Sequence, residues 1–368
     1  MDRLPPLLFE AKPQYLRFGG DRHKGRIHVS APIKDEPLAE VWELSDHRLH
    51  SSLIANGPFK GLALSDLMQK NQAALLGDVV AADDGCFPLM IRLLDIHENL
   101  PPAVHPTSEY STRENLPELG KYEAAYVLSA EPGSKFYATN KPELKTFQLA
   151  EAVRDGRSFD TMQTETVSSG EVYYVSAGQL HSWGKGVVLY EVHSTSNAIF
   201  ALDWMEWDKD KERREHDLRH LEKSIILDKK PNNAISPIEC SQNELKRQIL
   251  CANQHFVLER IESDQPITLN QDRNQFVLYT LIEGRGEIVY GEEKLPIESY
   301  RTVLIPAQTE KSVFKPSSSC VLLKVYVANL KRDVVQFLTS KGVSKEEIIA
   351  LAGNAKQNDL AEYFDDDN

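Results

Sequence analysis

Two histidines and one glutamate, His105, Glu123 and His181, are of the types a metal site uses, and the chain around His181 has the turn such a site needs. In the run GEVYYVSAGQLH, Gly170 opens a short apolar stretch and Gly178 closes it three residues before His181. A strand of that composition carries the chain to the mouth of a barrel. Gly178 then permits a tight turn, and the next strand aims His181 inward. A lone histidine on a strand is more often structural than a ligand, and the turn pattern reverses that balance. His105 in PPAVHPTSEY and Glu123 in LGKYEAAY each stand at the edge of a β run. Together the three offer two imidazoles and one carboxylate. That set holds Zn²⁺ with an open coordination position, and it equally suits non-haem Fe(II). Spacing along the chain is weak support, because the site would be assembled across a barrel and not along one helix.

The elements that must position these residues are mostly short strands separated by turn signals. Residues 87–94, 123–129, 171–175 and 187–192 read as strands, and a second β-rich block runs from Phe256 to Val327. Its runs recur every 10 to 15 residues, which suits a sandwich or barrel; it has one histidine near it, His255, and no clustered His or Glu ligands inside its strands. Helical spacing marks residues 64–76, with Ser65 as N-cap, and residues 142–154. Residues 208–227 read as a charged surface helix or linker, and 331–339 with 344–351 as a helical hairpin turning at Gly342. The last five residues, FDDDN, read as a disordered tail. The expected organisation is a metal-binding barrel over 1–207 with helical insertions near 61–77 and 142–156, and a linker over 208–240. A second barrel without metal follows over 241–328, then a hairpin and acidic tail over 329–368. The hairpin reads as a cap on the second barrel, or as a dimer contact.

The 368 residues carry 42 Lys and Arg against 55 Asp and Glu, a formal charge of −13. That balance argues against nucleic acid as a partner, while leaving room for a small phosphorylated ligand in a local basic pocket. No run of about 18 apolar residues offers a membrane span, and the proline-broken N-terminus lacks a signal-peptide core. Cys86, Cys240, Cys251 and Cys320 are far apart and form no CxxC, which fits free thiols in a reducing cytoplasm.

The Gly170–His181 run matches the second cupin motif, G-x5-P-x-G-x2-H, with Ser176 where proline is usual. Seven segments in order then resemble the class I mannose-6-phosphate isomerases of the short bacterial type. They are FGG at 18–20 (WGG in the family), EVWELSDH at 40–47, ANGPFKGLAL at 55–64, FPLMIRLLD at 87–95, AVHP at 103–106, LGKYE at 119–123 and SAGQLHSWGKGVVLYEV at 176–192. The likeness covers residues from about 8 to 328 and leaves out the C-terminal hairpin. It implies a mainly β fold of two jelly-roll cupin barrels with a small helical insertion. It implies one Zn²⁺ per chain on His105, Glu123 and His181, and interconversion of mannose 6-phosphate and fructose 6-phosphate through a cis-enediol. The partner is then a small sugar phosphate, with the chain a monomer or homodimer.

Carried over by position, the resemblance makes Lys121 and Glu191 catalytic, and sets Ser45, Lys60 and Arg92 to hold phosphate or hydroxyls. Bland readings stand beside these: Lys60 as a solvated turn lysine, Arg92 as the partner of a nearby carboxylate, Glu191 as a member of a structural ion pair. The chain also departs from the family. Ala103 stands where many members have a glutamine ligand, Ala201 where an active-site arginine is usual, and His193 where a glutamine is usual. Losing such a guanidinium costs roughly a hundredfold in rate. The alternatives are therefore a weakened or inactive relative that binds sugar phosphate, and a metal-dependent oxygenase on the same barrel.

Overall fold

The structure, a computed structural model, describes residues 3–29, 32–82, 85–138, 146–202, 210–227, 234–241, 245–269, 274–353 and 358–367. Among these residues the strands build two β-sandwiches of jelly-roll character. In the first, a seven-stranded sheet runs in the order Ala234–Ile235, Val172–Val175, Glu123–Ala130, Val187–Ser194, Leu89–Ile96, Lys12–Gly20, Leu38–Leu44. It faces a five-stranded sheet ordered Gln163–Thr166, Lys135–Ala138, His181–Trp183, Ala103–Val104, Phe200–Ala201. In the second, a seven-stranded sheet faces a four-stranded one. Two short strands are exchanged: Leu7–Leu8 pairs with Val303 and Leu304 of the second sandwich, and Ala234–Ile235 pairs with Val172 and Tyr173 of the first.

The strict alternation of side chains along a strand explains how one sheet serves two cores. In strand 123–130, Ala125 and Val127 turn inward with Leu94, Leu189, Phe136 and Trp183. Ala124 and Tyr126 turn outward with Tyr190 and Val192, into a core continuous with that of the second sandwich. The Phe87 and Phe276 rings meet across this seam at 4.5 Å. The helix Leu64–Leu76 docks there too: the Ala307 and Gln308 N–H groups donate to the Leu75 and Ala74 carbonyls at 3.0 and 2.9 Å.

Several local expectations are corrected. The N-cap of helix 64–76 is Ala63, and Ser65 lies one turn position inside. The first-turn donors are satisfied from outside instead, since Ser65 N–H donates to Ser51 Oγ at 2.9 Å. The helix expected over 142–154 is Thr146–Arg154, residues 139–145 lying outside the described set. The charged helix is Lys211–Ser224, capped by Asp210, and it packs on strand Phe200–Ala201. The hairpin's first arm begins as a π-helix, Leu330–Gln336, and continues as Phe337–Ser340. The second arm, Lys345–Ala350, starts with a capping box between Ser344 and Glu347. Gly342 turns the chain at φ 82°. Leu338, Ile348 and Leu351 bury into the large core, so the hairpin covers the second sandwich. The tail expected to be disordered is helical where described: a 3-10 helix spans Ala361–Asp367, and Asn368 lies outside the described residues.

Candidate metal centre

The inner face of the first sandwich is apolar at one end and charged at the other. The register dictates this. Glu191 stands opposite both Arg92 and Ala125, His193 opposite Glu123, and Arg92 opposite Trp42. These residues share the inward face, so their charges gather at one end of the sandwich.

His105 follows strand 103–104, Glu123 opens strand 123–130, and His181 opens strand 181–183. All three are buried, and their ligand atoms lie within 4.8 Å of one another. His105 Nε2 is 3.4 Å from Glu123 Oε2, and His181 Nε2 is 3.3 Å from Glu123 Oε1. Each imidazole is oriented from behind: His105 Nδ1 lies 2.9 Å from the Ala198 carbonyl and His181 Nδ1 3.1 Å from the Gln179 carbonyl. A carbonyl only accepts, so each Nδ1 carries the proton and each Nε2 presents its lone pair to the centre. Burial pushes the His105 pKa down to about 4, with the Lys121 charge assisting, so the ring is a neutral ligand. For Glu123, burial acts upward, but Lys121 and His105 outweigh it and hold the carboxylate well below its usual range. Glu123 Oε2 is buried without a well-aligned hydrogen bond. Two imidazoles with their Nε2 atoms turned to the centre and one ionised carboxylate fit Zn²⁺ with an open position.

Two glycine-dependent approaches build this end of the sandwich. Gly178 takes φ 86° and donates its N–H to the His105 carbonyl at 2.7 Å, tying the turn before His181 to the other histidine. At Gly120 a Cβ would fall 2.7 Å from the Pro106 carbonyl, so the segment leading to Glu123 lies directly on the chain leaving His105.

Lys121, buried, contacts Glu123 Oε2 and stands 4.0 Å from Glu191 Oε2. Arg92 contacts Glu191 through Nε and Glu40 through Nη1 at 3.3 Å. Trp42 Nε1 donates to the same Glu40 oxygen at 2.8 Å. Burial and the neighbouring Glu123 charge raise the Glu191 pKa, with Arg92 opposing. His193 is held neutral by burial and by the Lys121 and Arg92 charges, and its Nε2 has no hydrogen-bond partner. The structure thus joins Lys121, Glu191 and Arg92 to the three candidate ligands. It does not join Ser45 and Lys60 to them. Ser45 Oγ donates to the His50 carbonyl and accepts from the His47 N–H, holding a turn. Lys60 is exposed at the end of the 3-10 turn Gly57–Phe59. Glu40 was missed as a site residue, although it opens the EVWELSDH segment. As a carboxylate on a strand, it carries no spacing signal of its own.

A cavity of about 740 Å³ lies between the two sandwiches, walled by Arg48, Glu118, Ser196, His255, Asn274 and Arg332 among others. It includes none of the three candidate ligands.

Comparison with known proteins bears out the resemblance read from the motifs. Residues 10–151 match the model for the catalytic domain of type I phosphomannose isomerase, which takes in His105 and Glu123 but ends before His181. The chain is 26% identical over 304 residues to a mannose-6-phosphate isomerase of Streptococcus mutans, covering 82% of this chain and 92% of that one. The crystal structure of a Bacillus subtilis mannose 6-phosphate isomerase superposes with a TM-score of 0.77 at 23% identity, over 88% of this chain and 99% of that one. A zinc-bound mannose 6-phosphate isomerase superposes with a TM-score of 0.67 at 15% identity, over 88% and 99%. These superpositions establish the two-sandwich fold.

Proposed function

We propose that this chain, whose residues 10–151 match the catalytic domain of type I phosphomannose isomerase, interconverts mannose 6-phosphate and fructose 6-phosphate with one zinc ion on His105, Glu123 and His181. The observation that carries the reading is the convergence of two Nε2 lone pairs and the Glu123 carboxylate, with both Nδ1 protons committed to backbone carbonyls. Bound zinc supplies a Lewis acid and a template for the sugar oxygens.

The protein's own groups do the rest. Aldose–ketose exchange moves a proton between C1 and C2, so it needs a base whose basicity is raised and a cation for the developing enediol oxygens. Glu191 meets the first need: burial raises its pKa, and Arg92 fixes its orientation. Lys121 meets the second, its ammonium lying between Glu123 and Glu191. Arg92, Glu40 and Trp42 form the wall behind them. Ser45 and Lys60 have no role in this reading. Among the described residues no helix is long and apolar enough to cross a membrane, and all four cysteines are free. This reading places the protein in the reducing cytoplasm, where sugar phosphates are found, as a monomer or homodimer.

One observation favours a second reading, a relative that binds sugar phosphate without turning it over. Ala103 and Ala201 stand opposite one another beside His181, so neither supplies the functional side chain usual in the family. The deciding experiment is proton NMR of zinc-loaded protein with mannose 6-phosphate in D₂O. Loss of the C2 proton signal and growth of ketose, stopped by a chelator, establishes the isomerase. Binding without exchange establishes the second reading.

A further inference from the structure

We propose that Glu118 is a positioning residue for the metal centre, clamping the 196–198 loop so that the Ala198 carbonyl holds His105 in its ligating tautomer. The inference rests on the metal reading above and adds a residue outside the ligand set. Glu118 lies five positions before Glu123, and it accepts the Asn197 N–H on Oε2 at 2.5 Å. Its other oxygen takes a bidentate pair from Arg48, Nε at 3.1 Å and Nη2 at 2.8 Å. His47 Nε2 approaches Oε2 to 3.2 Å. His47 Nδ1 accepts the Leu49 N–H, so the proton of His47 sits on Nε2 and faces Glu118.

The loop is pinned a second time by Ser196. Its Oγ donates to the Leu119 carbonyl at 2.8 Å and accepts the Ala198 N–H at 3.1 Å. Residue 198 is therefore fixed from both sides, and its carbonyl takes the Nδ1–H of His105 at 2.9 Å. The segment 118–119 that anchors the loop runs on through Gly120 and Lys121 into Glu123. One carboxylate thus ties the strand bearing one ligand to the loop orienting another. Glu118 also faces the cavity between the sandwiches, so what fills that cavity touches the same clamp.

Groups that orient metal-binding histidines from behind typically control affinity by about 10- to 100-fold. The test is zinc affinity, measured by competition with a chelating dye, for wild type, Glu118→Ala and Glu118→Gln. The expected result is a Kd weakened about 10- to 100-fold in Glu118→Ala. Glu118→Gln keeps an acceptor for the Asn197 N–H and recovers most of that loss. A second readout is NMR of the zinc-free protein labelled with ¹⁵N-histidine: the Nδ1–H tautomer of His105 dominates in wild type and is depleted in Glu118→Ala. A role confined to packing would lower the melting temperature and leave the tautomer and Kd unchanged, and that result overturns the proposal. If Glu118→Ala does not fold, Ser196→Ala releases the same loop. Weaker zinc binding then supports the clamp, and wild-type affinity overturns it. A wild-type protein that fails to bind zinc would instead refute the metal reading itself.

Discussion

Ala103 and Ala201 stand directly opposite one another on adjacent antiparallel strands, and Ala103 is also opposite His181 on its other side. Residues directly opposite in such a pair share a face, with Cβ atoms about 5 Å apart. The two departures from the family pattern are therefore one structural fact, a strip of small side chains next to a candidate metal ligand. The first prediction follows from that strip. Ala103→Gln places a carboxamide on the ligand face, and zinc affinity is expected to tighten about tenfold. Competition titration against a chelator checks it, and unchanged affinity would show that the added group points elsewhere.

His181→Ala removes one of the three proposed ligands. Zinc affinity is expected to fall by at least about a hundredfold, the upper end of what even indirect partners contribute, and isomerase turnover falls with it. Metal analysis after gel filtration reads the first effect and a coupled fructose 6-phosphate assay the second. Because the metal binds the folded form alone, chelation should also lower the wild-type melting temperature and leave that of His181→Ala unmoved.

Glu43 is buried between the sandwiches. One oxygen accepts the Thr302 N–H at 3.2 Å and the other has no partner. Burial lifts its pKa from 4.5 to about 7, with Arg301 opposing. The folded state thus binds more protons than the unfolded chain between those values. Stability present below pH 4.5 is lost as pH rises through about 7. Glu43→Gln should remove this loss and stabilise the protein above pH 7 by roughly 3 kcal/mol. Urea midpoints at pH 4 and pH 8 measure it; parallel pH dependence in both proteins would exclude Glu43 as the source.

Glu259 shows the opposite sign inside the second sandwich. Burial acts upward, but Lys324, Arg247 and the Tyr326 hydroxyl bring its pKa down to about 2. Its contribution is present above pH 4.5 and is lost as pH falls through about 2. Glu259→Gln leaves Lys324 and Arg247 without their counter-ion, which costs about 3–5 kcal/mol at neutral pH. The variant should also lose less stability on acidification than wild type. Thermal melts at pH 3 and pH 7 test both halves.

Much of this molecule was legible along the chain. Apolar alternation marked the strands 123–130 and 187–194, and 3.6-residue spacing located helix 64–76, because burying one face is a local requirement on residue type. The candidate ligands His105, Glu123 and His181 are proposed from turn chemistry and ordered motifs, and the fold brings them together. The sequence could not show the exchange of Leu7–Leu8 and Ala234–Ile235 between sandwiches, since short strands carry no mark of their partners. Nor could it separate Arg92 and Lys121, which reach the cluster, from Ser45 and Lys60, which do not. All four lie in motif-bearing segments, and only the inward or outward phase of each strand and turn decides which side chain arrives. Glu118 and Glu40 were invisible for the same reason. A carboxylate in a loop or strand looks solvated until pairing register and close backbone approach bring a guanidinium, an amide or an indole N–H against it. Residue types set what chemistry was possible, and the register of antiparallel strands chose which residues meet to perform it.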